Sequence, residues 1–165
     1  MRRIILLAGL VLAVGVLPSG SALAAVGGSD LPLKGSVSGA SAHNLATGVV
    51  HAVSTGRLTH FGLTTVEQTA LVVPAGPTFS WSGTFTLTAA NGDQMSGTTV
   101  GTCTPTATSV RCVVDFTSTG GTGRFADASA TLTMTLLSRV SFDPGPPPIS
   151  YGEHQNATLV GHMSW

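Results

Sequence analysis

The sequence predicts an all-β protein: an antiparallel up-and-down β-barrel of about eight strands behind an N-terminal signal peptide. Three observations carry that expectation. An uncharged apolar run opens the chain, period-two alternation of apolar with Thr and Ser residues dominates the remainder, and turn-forming residues recur between the alternating stretches.

The N-terminal run comes first. Arg2 and Arg3 precede Ile4 to Leu17, which contain neither charge nor proline and end at Pro18. Ala22-Leu23-Ala24 then supplies the small-x-small pattern that a signal peptidase reads. The run is shorter than the about 20 apolar residues of a membrane-spanning helix. No cysteine follows it to take a lipid anchor. Residues 1–24 therefore read as a signal peptide and 25–165 as one domain, secreted, with no membrane span after cleavage.

That domain keeps five Lys and Arg against seven Asp and Glu, a net charge of −2. No basic cluster exists to attract nucleic-acid phosphates. Only 8% of the chain is charged, and its polar faces are built from Thr and Ser. β-Branched Thr suits a pleated surface.

The strands follow in order. Weaker alternation places strands near 33–40, 48–55, 57–61 and 63–73, with Pro74 to Pro77 ending the last. Phe79, Trp81, Gly83, Phe85, Leu87 and Ala89 then share one face, with Ser80, Ser82, Thr84, Thr86 and Thr88 on the other. Asn91-Gly92 follows as a hairpin signal, because both residues tolerate positive φ. Strands near 94–103 and 110–118 lead to the break Thr119-Gly120-Gly121-Thr122-Gly123. Ala128, Ala130, Leu132, Met134 and Leu136 next oppose Ser129, Thr131, Thr133 and Thr135. Residues 143–148, Asp-Pro-Gly-Pro-Pro-Pro, read as a stiff exposed connection. Ala157, Leu159, Gly161, Met163 and Trp165 form the apolar face of a closing strand. One apolar and one polar face per strand is the pattern of antiparallel sheets.

Cys103 and Cys112 form an even pair in an exported chain and read as a disulfide. A turn at Thr106 to Ser109 sets them opposite one another across a hairpin. That spacing favours a barrel over an immunoglobulin-type sandwich, whose cysteines lie far apart.

Residues 80–138 resemble the allene oxide cyclase-like barrel superfamily, which includes the plant dirigent proteins. The resemblance lies in Phe85-Thr-Leu-Thr-Ala-Ala-Asn-Gly-Asp93, in Gly97 and Gly101, and above all in Thr119-Gly-Gly-Thr-Gly-Arg-Phe-Ala-Asp-Ala128. The chain more closely resembles the short secreted bacterial members, whose role is generally unassigned. It departs from them at Ala130, where the family usually has glycine. The resemblance implies an eight-stranded, often trimeric barrel with an apolar interior. Plant cyclases of that family isomerise an unstable fatty-acid epoxide and dirigent proteins orient phenoxy radicals, but no catalytic position carries over to a residue here.

Gly121, Gly123 and Ala126 also spell G-x-G-x-x-A. A strand rather than a helix follows them, so they do not form a dinucleotide site and no cofactor is implied. Gly120, Gly121, Gly123 and Phe125 instead read as a structural turn, with Phe125 plugging one end of the barrel and Arg124 and Asp127 near its rim. His43, His51, His60, His154 and His162 show no metal-binding spacing and read as surface or rim residues. No G-x-S-x-G or S-x-x-K nucleophile motif is present. Asn156-Ala157-Thr158 spells a glycosylation sequon, idle in a chain of bacterial character.

Two function classes stay open. One is a non-enzymatic exported barrel that binds an apolar small molecule or serves as a structural module. The other is a cyclase or isomerase acting on an apolar substrate inside the barrel. Trp81, Phe85, Leu132 and Met134 are the candidate ligand-facing residues, and small neighbours such as Gly83, Ala89, Ala128, Ala130 and Gly161 leave room for a pocket or are filled in. An enzyme needs an ionisable inward group, and Glu67 and His51 are the two that share faces with apolar neighbours. For the N-terminus the expected outcome is cleavage after Ala24: sequencing the secreted protein should begin at Ala25, and intact Met1 in a membrane fraction would contradict it.

Overall fold

A computed structural model describes residues 30–164; the expected signal peptide and Trp165 lie outside the described residues. Eight antiparallel strands follow one another around a closed barrel: β1 (Leu31–Asn44), β2 (Val49–Leu58), β3 (Gly62–Ala75), β4 (Thr78–Thr88), β5 (Gln94–Pro105), β6 (Ser109–Gly121), β7 (Ser129–Asp143) and β8 (Ile149–Ser164). Strand β8 returns to β1, so Leu31 opposes Met163 and Asn44 opposes Ile149. Closure removes the free edges that an open sheet must otherwise protect. The expected segments 48–55 and 57–61 merge into the single strand β2, in which Gly56 is paired with Val37 rather than marking a break, and which ends at Leu58 so that 59–61 form the turn. At the other extreme, β7 and β8 run further towards their connecting loop than alternation suggested, leaving 144–148 as the link.

Apolar side chains fill the inside and Thr and Ser cover much of the outside, as the period-two pattern requires. One end of the barrel is solid. Phe61, from the β2–β3 turn, and Phe125, from the short 3-10 turn Gly123–Phe125 after β6, stack there with ring centroids 4.2 Å apart. Phe125 is wholly buried, so it is the expected plug. Gly123 adopts φ +56, a left-handed conformation that glycine takes without Cβ strain and that turns Phe125 inward. Arg124 lies with its guanidinium 4.8 Å from the Phe125 ring centre and 3.7 Å from Asp93, at the rim. Above the plug, Phe85 and Phe116 meet at 4.9 Å in a tilted pair within a packed layer of Val37, Val66, Leu132 and Leu159.

Cys103 and Cys112 are directly paired between β5 and β6 and joined in a disulfide, with Cα atoms 4.1 Å apart. Such a close approach belongs to the non-hydrogen-bonded pair of an antiparallel ladder. The intervening turn closes through Thr106 N–H donating to the Ser109 carbonyl at 2.7 Å. Both cysteines face inward and are buried. A Cys103→Ala/Cys112→Ala variant should lose about 2–3 kcal/mol of unfolding free energy, the loop-closure value for a bridge of this size. Urea unfolding measures it, and unchanged stability would show that the bridge adds nothing to the hairpin.

Candidate functional site

The upper half of the barrel, towards the loops after β1, β3, β5 and β7, is organised by an irregularity in β8. Val37 pairs with Ala157 and Gly39 with His154, so two steps along β1 match three along β8. The extra residue is a β-bulge at 155–156, where Asn156 takes φ +56, a region Asn tolerates better than most residues. An added residue exchanges the two faces of a strand. Below the bulge Ala157, Leu159 and Met163 point inward; above it Ser150, Gly152 and His154 do.

The bulge places His154 in a row that crosses four adjacent strands. Ser54 on β2 pairs with Gly39 on β1, Gly39 with His154 on β8, and His154 with Ser138 on β7. The His154 Nε2 and Ser54 Oγ atoms share a hydrogen bond of 2.9 Å. Gly39 makes that reach possible, since a Cβ at this position would stand 2.7 Å from Ser54 Oγ and against the β2 backbone. On the opposite side of the lumen stand Gln68 of β3 and Trp81 of β4, whose indole N–H donates to Thr99 Oγ1 at 3.0 Å.

Together these residues bound a cavity of about 320 Å³ that is open at one end. Its walls are largely apolar: Ala52, Val72, Phe79, Val110, Leu136 and the disulfide. Gln68, Trp81 and His154 are the deepest of the lining residues on their strands, so they form a floor above the packed layer. Leu45 and Val140 stand at the mouth and are themselves well exposed. Among the described residues no Asp, Glu, Lys or Arg lines this space. Its titratable members are His43 and His154, and burial holds both imidazoles below their ordinary value, because a charged ring loses hydration there.

The expected site residues separate clearly. Trp81 is in the cavity wall, whereas Phe85, Leu132 and Met134 point inward but belong to the solid layer beneath. Glu67 and His51 are corrected: both are exposed on the outer surface, where His51 Nδ1 meets Thr69 Oγ1 at 3.0 Å. The reading of every histidine as a surface or rim residue is also corrected, since His154 is buried inside. His162, by contrast, lies outside, 3.2 Å from Asp30. Among the described residues no three His, Cys, Asp or Glu side chains gather as a metal site.

The chain matches no family model, no curated protein and no solved structure. Chemistry must therefore be read from the cavity alone. Ser54 and His154 look like a nucleophile and its base, but Ser54 is 1% exposed and is not part of the cavity wall. A substrate in the cavity meets the imidazole and not that hydroxyl. Alternation did not mark His154, Gln68 or Ser138 as inward, although Ser150, Gly152 and His154 do alternate with Tyr151 and Glu153 once a strand is allowed to start directly after the prolines.

Both lowered histidines link folding to pH. Their folded-state values lie below the unfolded ones, so under about pH 6.5 the unfolded chain binds more protons than the folded chain. Stability is complete above that pH and declines as the pH falls through it towards the folded-state values. The thermal midpoint should thus drop between about pH 7 and pH 5. A His43→Gln/His154→Gln variant should show a smaller drop by calorimetry, and an undiminished drop would place the dependence elsewhere.

Proposed function

We propose that this protein is an exported binding barrel that holds one small apolar molecule against Trp81. The observation that carries this reading is the apolar cavity itself, retained in a barrel whose other half is packed solid. Eight strands give an interior that side chains can just fill or that admits one small ligand. At about 30 Å³ of liquid volume per water-sized group, a space of this size takes roughly ten non-hydrogen atoms. The open end and the exposed apolar side chains of Leu45, Val140 and Phe142 around it offer an apolar path inward.

Export is supported by the N-terminal pattern and by the disulfide, which suits an oxidising compartment. Among the described residues no helix is long and apolar enough to cross a membrane. The arrangement of polarity, with apolar residues inward and Thr and Ser outward on β4 and β7, is the reverse of that in a transmembrane barrel. The similarity of residues 80–138 to allene oxide cyclase-like barrels supports the same reading of an apolar interior, and a trimer is part of that proposal.

A second reading is favoured by His154, a neutral imidazole on the cavity floor able to accept a proton from a bound substrate: an isomerase or cyclase of apolar compounds. Against it, the cavity offers no charged group to stabilise charge that develops during such a reaction, which is usually the largest contribution to catalysis. Binding is therefore the preferred reading. Calorimetric titration of the purified protein with propylbenzene should show saturable binding of one molecule per barrel. Ala52→Phe, which fills the cavity from its wall, should abolish it. Absence of saturable binding by the unaltered protein, with no small molecule retained in native mass spectrometry, would leave a structural barrel.

A further inference from the structure

We infer that the plugged end of the barrel carries a second site, a cationic groove that binds a doubly charged phosphate group, free or esterified. The groove lies at the opposite end from the apolar cavity, and the inference does not depend on the binding role proposed above.

Its basis is where the few cations of the barrel stand. The described residues include five Lys and Arg: Lys34, Arg57, Arg111, Arg124 and Arg139. Lys34, Arg57 and Arg124 are scattered along the chain, yet the fold brings all three, with His60, to the border of one open groove. No Asp or Glu lines that groove. Among the described residues the ion pairs are Arg124 with Asp93, at 3.7 Å, and His162 with Asp30, at 3.2 Å. Lys34 and Arg57 therefore face the groove without an acidic partner, in a domain whose net charge is −2.

Strand pairing sets the spacing of the two unpaired cations. Arg57 on β2 opposes Ser36 on β1, while Lys34 N–H donates to Thr59 Oγ1 and the Lys34 carbonyl accepts from Thr59 N–H, each at 2.9 Å. Lys34 and Arg57 are thus diagonal neighbours on the outer face, a separation of about 7–8 Å. That is within about one Debye length at physiological salt, so their fields add over the groove. Arg124 is anchored by Asp93 and by the Phe125 ring beneath its guanidinium. The neutral polar groups are committed to the shape of the groove. Thr59 Oγ1 donates to the Pro32 carbonyl at 3.0 Å, and Asn91 Nδ2 donates to Asp93 at 2.7 Å. Phe61 N–H donates to the Leu58 carbonyl at 3.1 Å and Ala90 N–H to the Phe61 carbonyl at 3.2 Å, which ties the β2–β3 turn to the next one. The cations are left to meet a ligand. Three positive charges against one carboxylate leave two, the complement of a phosphate dianion, and a guanidinium fork suits phosphate oxygens. An open groove also lets the anion keep part of its hydration. A nucleic-acid strand would ask for a longer basic track than three cations supply.

Calorimetric titration of the purified protein at low ionic strength tests this with inorganic phosphate, glycerol 3-phosphate and acetate, at about pH 8 where both phosphates are dianions. Either phosphate should bind saturably at one site per barrel, more weakly as salt is added, and acetate more weakly than both. Tighter binding of the glycerol ester would mark an esterified phosphate as the ligand, and tighter binding of inorganic phosphate the free ion; both support the inference. A Lys34→Gln/Arg57→Gln variant should bind about tenfold more weakly, through loss of two exposed ionic contacts. An Arg111→Gln/Arg139→Gln variant makes the same change in net charge away from the groove and should bind as the unaltered protein does. All four side chains are exposed, so the thermal midpoint should stay close to that of the unaltered protein. If the first double variant is unstable, Lys34→Gln and Arg57→Gln singly should each show part of the loss. Equal weakening in the two double variants would reduce the effect to net charge and overturn the site. Acetate binding as tightly as the phosphates, or no saturable binding of either phosphate, overturns it as well, and none of these results touches the apolar cavity.

Discussion

In a ring of eight paired strands, each residue faces inward or outward by simple alternation, and only an inserted residue can exchange the two faces part-way along a strand. That constraint organises the whole interior here. Strands β1 to β5 and β7 keep one inward set, β6 shifts register only between Ser118 and Gly120 beside the plugged end, and β8 changes sets at its bulge between His154 and Ala157. Below the bulge the ring closes on Ala157, Leu159 and Met163 and the packing is solid. Above it the same strand contributes Ser150, Gly152 and His154, two of them small and one polar. The cavity occupies the half of the barrel that has been re-phased. Bulges are known to re-aim side chains near functional sites, and this one does so without disturbing closure.

The contrast between the two halves also explains why small inward residues do not by themselves make space. Gly83 and Gly161 sit on faces where a pocket was an open expectation, yet a Cβ at either would run into the backbone of the neighbouring strand. These glycines mark close approach of strands, not voids. Ala128 and Ala130 are buried beside Phe125 and Met163 in the plugged end. The room in the upper half comes instead from Ser41, Ala52, Ser138, Ser150 and Gly152 around one side of the lumen, with Trp81 and Gln68 on the other. Position along the barrel axis, which alternation cannot report, decides whether a small residue opens a gap.

Much of the architecture was legible because β4 and the lower part of β7 carry strict alternation, and because the cysteine spacing set the β5–β6 hairpin in register. The Phe125 plug was legible from its glycine-rich turn. The inward faces of β2 and β3 were not. In β3, Leu63, Leu71 and Val73 share a set with Glu67, while Val66, Ala70 and Val72 share the other with Gln68, so both sets look apolar. The pairing of Ala52 with Gln68 and of Ser54 with Val66 settles the phase, and pairing is a long-range property. His154 was hidden for a local reason. It lies between a proline-rich link and a bulge, where the rule of two fails on one side and strand propensity on the other.

The buried polar groups show that the upper half was not shaped for stability alone. An unpaired buried acceptor or hydroxyl costs about 1–3 kcal/mol, and Leu or Ala in place of Gln68 and Ser138 would avoid that cost at similar volume. The remaining buried polar groups are paired within the barrel, including a histidine tied to a serine across a strand that carries glycine between them. Native structures depart from consistent packing chiefly where a site demands it. Here the departure is confined to an apolar cavity whose two histidines have their pKa lowered by burial. Among the described residues that cavity is lined by no fixed charge with which to drive a bound molecule through a reaction, which weighs towards the proposed binding role rather than a catalytic one.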